Sequence, residues 1–246
     1  MNLIKDWYNL EFVKCNIIKY TYNREFALAY PKTSKRKNVV FSRNLRLHNT
    51  KHLDFFCKKY DLYNKRLNWY YSLAEYKYGL PRRNFNHGDY AIFEKWKKIH
   101  WKYMLGFDFV IDIDRKHDAT FKYVLISAKM IKDFLDLRNF QYQIRFSGNG
   151  FHFLIPYKYF TSFNPDPYSE HSVYKYFYSI ALKLHNTKTE MVDLRMYDSR
   201  RLIKLPYTLT FYKDVTYVCS PCNLYDFKLD DYRPENFIKN GTTINN

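Results

Sequence analysis

Large side chains recur along this chain in two rhythms. Between residues 2 and 19, Leu3, Trp7, Leu10, Val13 and Ile17 stand three or four apart, which predicts a helix. Residues 24–30 (REFALAY) alternate and stop at Pro31, the pattern of a strand. The basic run 32–38 reads as a loop and 39–42 as a short strand. Residues 50–60 fit a helix with Leu53, Phe56, Cys57 and Tyr60 on one face. Residues 69–78 fit a strand or a helix, and 91–102 fit a helix. The clearest strand is 107–114 (FDFVIDID), with strict alternation of large apolar side chains. A helix over 122–135 follows, then two strands within 141–155 around Gly148-Asn149-Gly150. Residues 174–184 predict a helix, and 202–205 and 216–219 short strands. Strands interspersed with helices predict a mixed α/β or α+β fold. Neither a Gly/Ser linker nor an internal repeat divides the chain, so 1–246 reads as a single domain, with residues 240–246 as a frayed tail.

Composition narrows the class. Aromatic residues make up 21% of the chain, which excludes a disordered protein. No apolar run approaches the roughly 18 residues of a membrane span, and residues 1–8 lack the basic-then-apolar pattern of a secretory leader. Four cysteines in a chain this long do not make a disulfide scaffold. A reducing, cytoplasmic location without a membrane partner is expected. The net charge of +17 points to a polyanion, nucleic acid above all. Codon usage in an AT-rich genome is the competing source of so many Lys, Asn, Tyr, Ile and Phe residues.

Three segments carry candidate chemistry. Asp112 and Asp114 share one strand face by period-2 geometry, while Phe107, Phe109, Ile111 and Ile113 take the other. Two carboxylates projecting together suit a divalent cation with oxygen ligands, Mg²⁺ or Mn²⁺, although a solvated strand end has the same spacing. Asp108 shares their parity but lies about 13 Å away along the strand. The second segment, 147–152 (SGNGFH), spends two of only six glycines on one turn. Its amides, with Ser147 and His152 flanking them, suit a triphosphate; a plain hairpin is the alternative. The third, 192–209 (VDLRMYDSRRLIKLPYTL), joins Asp193 and Asp198 to Arg200, Arg201 and Lys204, which suits a metal and a phosphate tail, or merely a charged loop. Cys219 and Cys222 form a C-x-x-C pair, but the remaining thiols, Cys15 and Cys57, are far upstream, and His171 and His185 have no motif spacing. No structural zinc is expected.

Taken in order, these segments resemble the motifs of the archaeo-eukaryotic primase superfamily. The strand ending Asp112-x-Asp114 is similar to its first motif and Ser147–His152 to its second. Val192-Asp193 followed by Arg201-Leu-Ile-Lys204-Leu-Pro206 is similar to its third. Upstream, Asn23-Arg24-Glu25-Phe26, the stretch 70–76 (YYSLAEY) and Leu105-Gly106-Phe107-Asp108 resemble segments of the primase catalytic (small) subunit. The sequence departs from that pattern in lacking cysteines between Asp114 and Ser147, where a zinc module often stands, and in Lys204 and Thr208, where arginine and serine are usual. The resemblance implies a compact, two-lobed catalytic domain with an RRM-like half. Its N-terminal lobe segment would cover about 1–105, its metal and nucleotide core 106–235 and its tail 236–246.

By the same resemblance the chain condenses NTPs or dNTPs on a single-stranded or primed DNA template. Asp112, Asp114 and Asp193 would hold two metal ions. Ser147, Gly148, Asn149, Gly150, His152, Arg201 and Lys204 would bind the nucleotide. Arg24, Arg36 and Arg43 are candidates for DNA contact. A primase large subunit or a helicase is the candidate protein partner, and a nucleoid-associated location is expected. A non-catalytic nucleic-acid-binding module and a metal-dependent nuclease are the alternatives.

Overall fold

Two four-stranded antiparallel sheets carry the fold. The computed structural model describes residues 2–31, 39–77, 100–116, 119–212 and 214–241. Helices α1 (Leu3–Asn9) and α2 (Glu11–Thr21) precede strands β1 (Phe26–Tyr30) and β2 (Val40–Leu45). Helix α3 (Thr50–Lys59) and strands β3 (Asn68–Ser72) and β4 (Ala74–Tyr76) follow. Then come β5 (Met104–Phe107), β6 (Phe109–Asp114), α4 (Phe121–Asp136), β7 (Gln143–Phe146), β8 (Gly150–Ile155) and α5 (Val173–Thr187). Strands β9 (Leu202–Lys204), β10 (Leu209–Tyr212), β11 (Val215–Val218) and β12 (Ser220–Pro221) and helix α6 (Pro234–Gly241) complete the order.

The first sheet runs β2-β1-β3-β9 and the second β12-β7-β8-β6, with β4-β5 and β10-β11 as two-stranded ribbons. The second sheet is built in the order β6-α4-β7-β8-α5, after which Val192 bridges back to Ile113 on β6. That is the β-α-β-β-α-β arrangement, the RRM-like half expected. Helix α4 buries Val124, Ala128, Ile131 and Leu135, a three-and-four spacing that turns one face to the sheet. Phe177 of α5 stacks on Phe109 of β6 with ring centroids 4.5 Å apart. The two helices thus cover the apolar face of β6, and the opposite face, bearing the carboxylates, is turned toward the first sheet. Strand β9 returns late in the sequence to pair with β3, so the two sheets interlock.

Several predicted elements change on folding. The N-terminal helix is two helices, separated by Leu10 in extended backbone, a break marked by neither glycine nor proline. The single strand 107–114 is split at Asp108 between β5 and β6, because Asp108 turns its backbone N–H to the Leu73 carbonyl. Tyr60 is 40% exposed rather than on the buried face of α3. The ambiguous stretch 69–78 forms strands β3 and β4 as far as Tyr76. Residues 234–241, largely read as tail, form a helix anchored by buried Phe237. The loop 32–38 and most of the helix predicted at 91–102 lie outside the described residues. Among the described residues no helix is long and apolar enough to cross a membrane.

Candidate active site

Strand register assembles the carboxylates. Asp112 on β6 lies opposite His152 on β8, and Asp114 lies opposite Gly150. Asp193 arrives from a separate segment. Asp114 N–H donates to the Met191 carbonyl at 3.2 Å, and Asp193 N–H donates to the Asp112 carbonyl at 2.8 Å. Side-by-side pairing therefore sets Asp193 next to a pair already fixed on β6. One oxygen from each of Asp112, Asp114 and Asp193 lies within 4.8 Å of the others.

This concentration of negative charge is undercompensated. Burial, then repulsion from Asp114 and Asp193, pushes the Asp112 carboxyl well above the ordinary carboxylate range. Asp114 is raised by burial and by Asp193 against the pull of Lys204. Asp112 Oδ1 is buried without a hydrogen-bond partner, and His152 Nε2 stands 3.5 Å from it. Asp193 behaves differently. Partial burial pushes it up, but hydrogen bonds from Arg195 hold it below the ordinary value. Arg195 Nε meets Oδ1 at 2.9 Å, its Nη2 meets Oδ2 at 3.0 Å, and its backbone N–H meets Oδ1 at 2.9 Å. An all-oxygen donor set with an orphaned buried oxygen and unrelieved repulsion fits a hard divalent cation, Mg²⁺ or Mn²⁺.

The glycine turn has a tighter steric basis than anion approach alone. A Cβ on Gly150 would fall 1.8 Å from the Ile113 carbonyl oxygen, so β8 can pass β6 beside Asp114 only with glycine there. Gly148 has φ +93°, and a Cβ on it would meet Thr210 at 2.2 Å. Ser147 closes the turn: its Oγ accepts from Gly150 N–H at 3.1 Å and its N–H donates to the Gly150 carbonyl at 2.9 Å. His152 pairs across the strands with Arg145, not with Ser147. Burial, Lys204 and Arg145 together push its imidazole well below the usual value, so it is neutral at pH 7. Asn149 Oδ1 is buried without a hydrogen-bond partner, on the edge of an open cleft of about 650 Å³. Asp114, Asp193, Arg115, Lys116 and Arg195 also line that cleft.

The basic residues separate into groups. Lys204 crosses from β9 to donate to the Ser147 carbonyl at 2.8 Å and to Thr210 Oγ1 at 2.9 Å. Burial pulls its ammonium below the ordinary lysine value, against the attraction of Cys219, Asp114 and Asp112. Arg201 pairs with Asp198 at 2.7 Å and donates to the Arg195 carbonyl, and its charge also helps hold the Asp193 carboxyl down. Arg24 and Arg43, candidates for DNA contact, are paired with carboxylates of this chain. Arg24 bonds Asp108 at 2.8 Å and the carbonyls of Ser72 and Leu73. Arg43 forks onto both oxygens of buried Glu25 at 2.9 Å. Arg36 lies outside the described residues. Cys219 is buried and Cys222 half-buried, and neither is in a disulfide. Sequence reading passed over Arg195 and Arg145. Arg195 follows Asp193 by two residues, a local signal that was there to be read. Arg145 announces itself only through its buried contacts with Tyr71 and Tyr20.

No family model matches the sequence, and no curated protein matches it significantly. Solved structures do match. The polymerase domain of Mycobacterium tuberculosis Ligase D, in complex with DNA, superposes with a TM-score of 0.61 at 12% identity. That match covers 98% of this chain and 88% of the other. A primase RepB′ structure reaches 0.42 at 9% identity, covering 94% of this chain and 63% of that one. The RepB′ catalytic domain with initiator DNA also reaches 0.42 at 9%, with full coverage of both chains. At 0.42 neither adds weight. The likeness to the Ligase D domain covers most of both chains, and this protein has the fold of that polymerase domain.

Proposed function

We propose that this chain is a template-directed nucleotidyltransferase, a primase or primase-polymerase, that condenses NTPs or dNTPs on DNA with Mg²⁺ or Mn²⁺. One observation carries the reading. Three carboxylates from two separate chain segments converge within 4.8 Å, one of them with an orphaned buried oxygen, in a fold shared with a polymerase domain.

Asp112, Asp114 and Asp193 would hold the ions. When bound, such ions activate a 3′-hydroxyl and neutralise charge on the α-phosphate and the departing pyrophosphate. The chain supplies rigidity first. Asp112 and Asp114 are fixed by a strand paired on both edges, and the Asp193 backbone is tied to Asp112. Lys204 brings a cation held by two hydrogen bonds to the inner side of the carboxylates. Neutral His152 beside Asp112 can donate or accept a hydrogen bond without adding charge. The cations of the open cleft meet nucleotide phosphates. DNA is gripped through its phosphates by the basic surface of a chain with net charge +17, with little sequence readout.

The test is an incorporation time course with labelled NTP or dNTP on primed and unprimed templates. Template-dependent extension supports the reading. Shortening of end-labelled DNA would make the protein a nuclease, and DNA binding with no turnover a non-catalytic module; either result overturns it.

A further inference from the structure

We propose that Arg195 is a stand-in cation: a divalent ion displaces its guanidinium from Asp193, and the freed guanidinium then binds a phosphate of the incoming nucleotide. This rests on the metal-dependent reading above and names a residue of the third segment to which the sequence motifs assign no role.

The geometry is that of a placeholder. Both Asp193 carboxylate oxygens are occupied by Arg195, at 2.9 and 3.0 Å. The Asp193 side chain is 15% exposed, whereas that of Arg195 is 83% exposed, so the guanidinium covers the carboxylate from the solvent side. Both oxygens face the guanidinium, so an ion arriving at Asp193 competes with Arg195 for the same carboxylate. Two cations brought together at this carboxylate would also repel one another. An arriving ion therefore drives the guanidinium off. The backbone need not follow, because the Arg195 carbonyl is held by Arg201. The released side chain stands at the cleft with Arg115 and Lys116. Three cations at one mouth, beside an ion with bound phosphates, make a triphosphate the fitting anion, and an arginine fork matches phosphate oxygens.

A coupling follows. A metal ion alone must break the Arg195–Asp193 pair without replacing it. A metal ion with a triphosphate gives Arg195 a new partner. Ion and nucleotide therefore strengthen each other's binding, reciprocally.

Calorimetric titration of the full chain with Mn²⁺, with and without a non-hydrolysable nucleoside triphosphate analogue, tests this without reference to turnover. In Arg195→Ala, Mn²⁺ alone should bind about five- to tenfold tighter, because a bidentate competitor is gone. The analogue in the presence of Mn²⁺ should bind roughly tenfold or more weaker. Arg195→Lys should recover part of the analogue affinity. Arg195 is exposed, so these variants should keep the wild-type melting temperature within a few degrees. Unchanged or weaker Mn²⁺ binding by Arg195→Ala, with wild type binding Mn²⁺ normally, overturns the stand-in role alone. Absence of Mn²⁺ binding by wild type overturns the metal-dependent reading, and this proposal with it.

Discussion

Asp108 and Asp112 lie four residues apart on one stretch of chain, are 3% and 7% exposed, and have opposite surroundings. Asp108 is fully engaged. It bonds Arg24 at 2.8 Å and accepts the Tyr157 N–H at 3.0 Å, and Arg24 is shared with Glu75 at 3.3 Å. Asp112 instead faces two further carboxylates and leaves Oδ1 without a partner. Buried charge in a structural role is matched within the chain, since an unmatched ion in low dielectric is costly. Charge left unmatched marks a place where something from outside completes the structure. The same contrast holds between Glu25, forked by Arg43, and Asp114, whose burial Lys204 and Arg195 offset only in part.

The largest effect expected is at Asp112. Asp112→Asn should lower nucleotide incorporation by about a thousandfold or more, since loss of a metal ligand removes several kcal/mol of transition-state stabilisation. DNA affinity in a gel shift should stay within a few-fold, because it depends on cations. The metal-free variant should also melt no lower than wild type, and Mn²⁺ should raise the melting temperature of wild type only. An active Asp112→Asn would falsify the metal assignment.

Asp108→Asn should do the reverse. It leaves Arg24 buried with one carboxylate fewer, at a cost of about 3 kcal/mol in denaturant unfolding. Among molecules that remain folded, kcat should change little. A variant as stable as wild type would erase the distinction between the two aspartates.

The pH dependence separates them more finely. The folded-state carboxyl of Asp112 lies above its unfolded value, so the folded protein binds more protons between the two. Stability from this group therefore falls as pH rises from the ordinary carboxylate value through the raised one, and the cost is full above it. Asp112→Asn lacks this cost. In metal-free buffer the melting-temperature gap between variant and wild type should open as pH rises through that window and close below it. A gap that is constant with pH would contradict the raised carboxyl.

The smallest effect is expected at Asp198. It pairs with Arg201 on an exposed loop, where such pairs are worth about 0–1 kcal/mol. Asp198→Asn should retain most activity, whereas Asp193→Asn should fall to background, measured in parallel under saturating Mn²⁺. A dead Asp198→Asn beside an active Asp193→Asn would exchange their roles.

Much of this was legible in the chain. Alternation placed Asp112 and Asp114 on one face of β6, and the glycine spacing located the turn between β7 and β8. Helices α4 and α5 follow from three-and-four spacing of their buried residues. These are local properties, set by the period of a strand or helix and by the φ freedom of glycine. Tertiary structure decided the rest. Asp193 joins the pair only because Val192 bridges to Ile113, a contact no local period encodes. Lys204 reaches the Ser147 turn only because β9 returns to the first sheet. Arg24 and Arg43 read as candidates for DNA contact, and the carboxylates they pair with, Asp108 and Glu25, lie 84 and 18 residues away along the chain. A sequence records charge and rhythm. Which charges are neutralised from within, and which are left for a ligand, depends on distances that exist only once the sheets have come together.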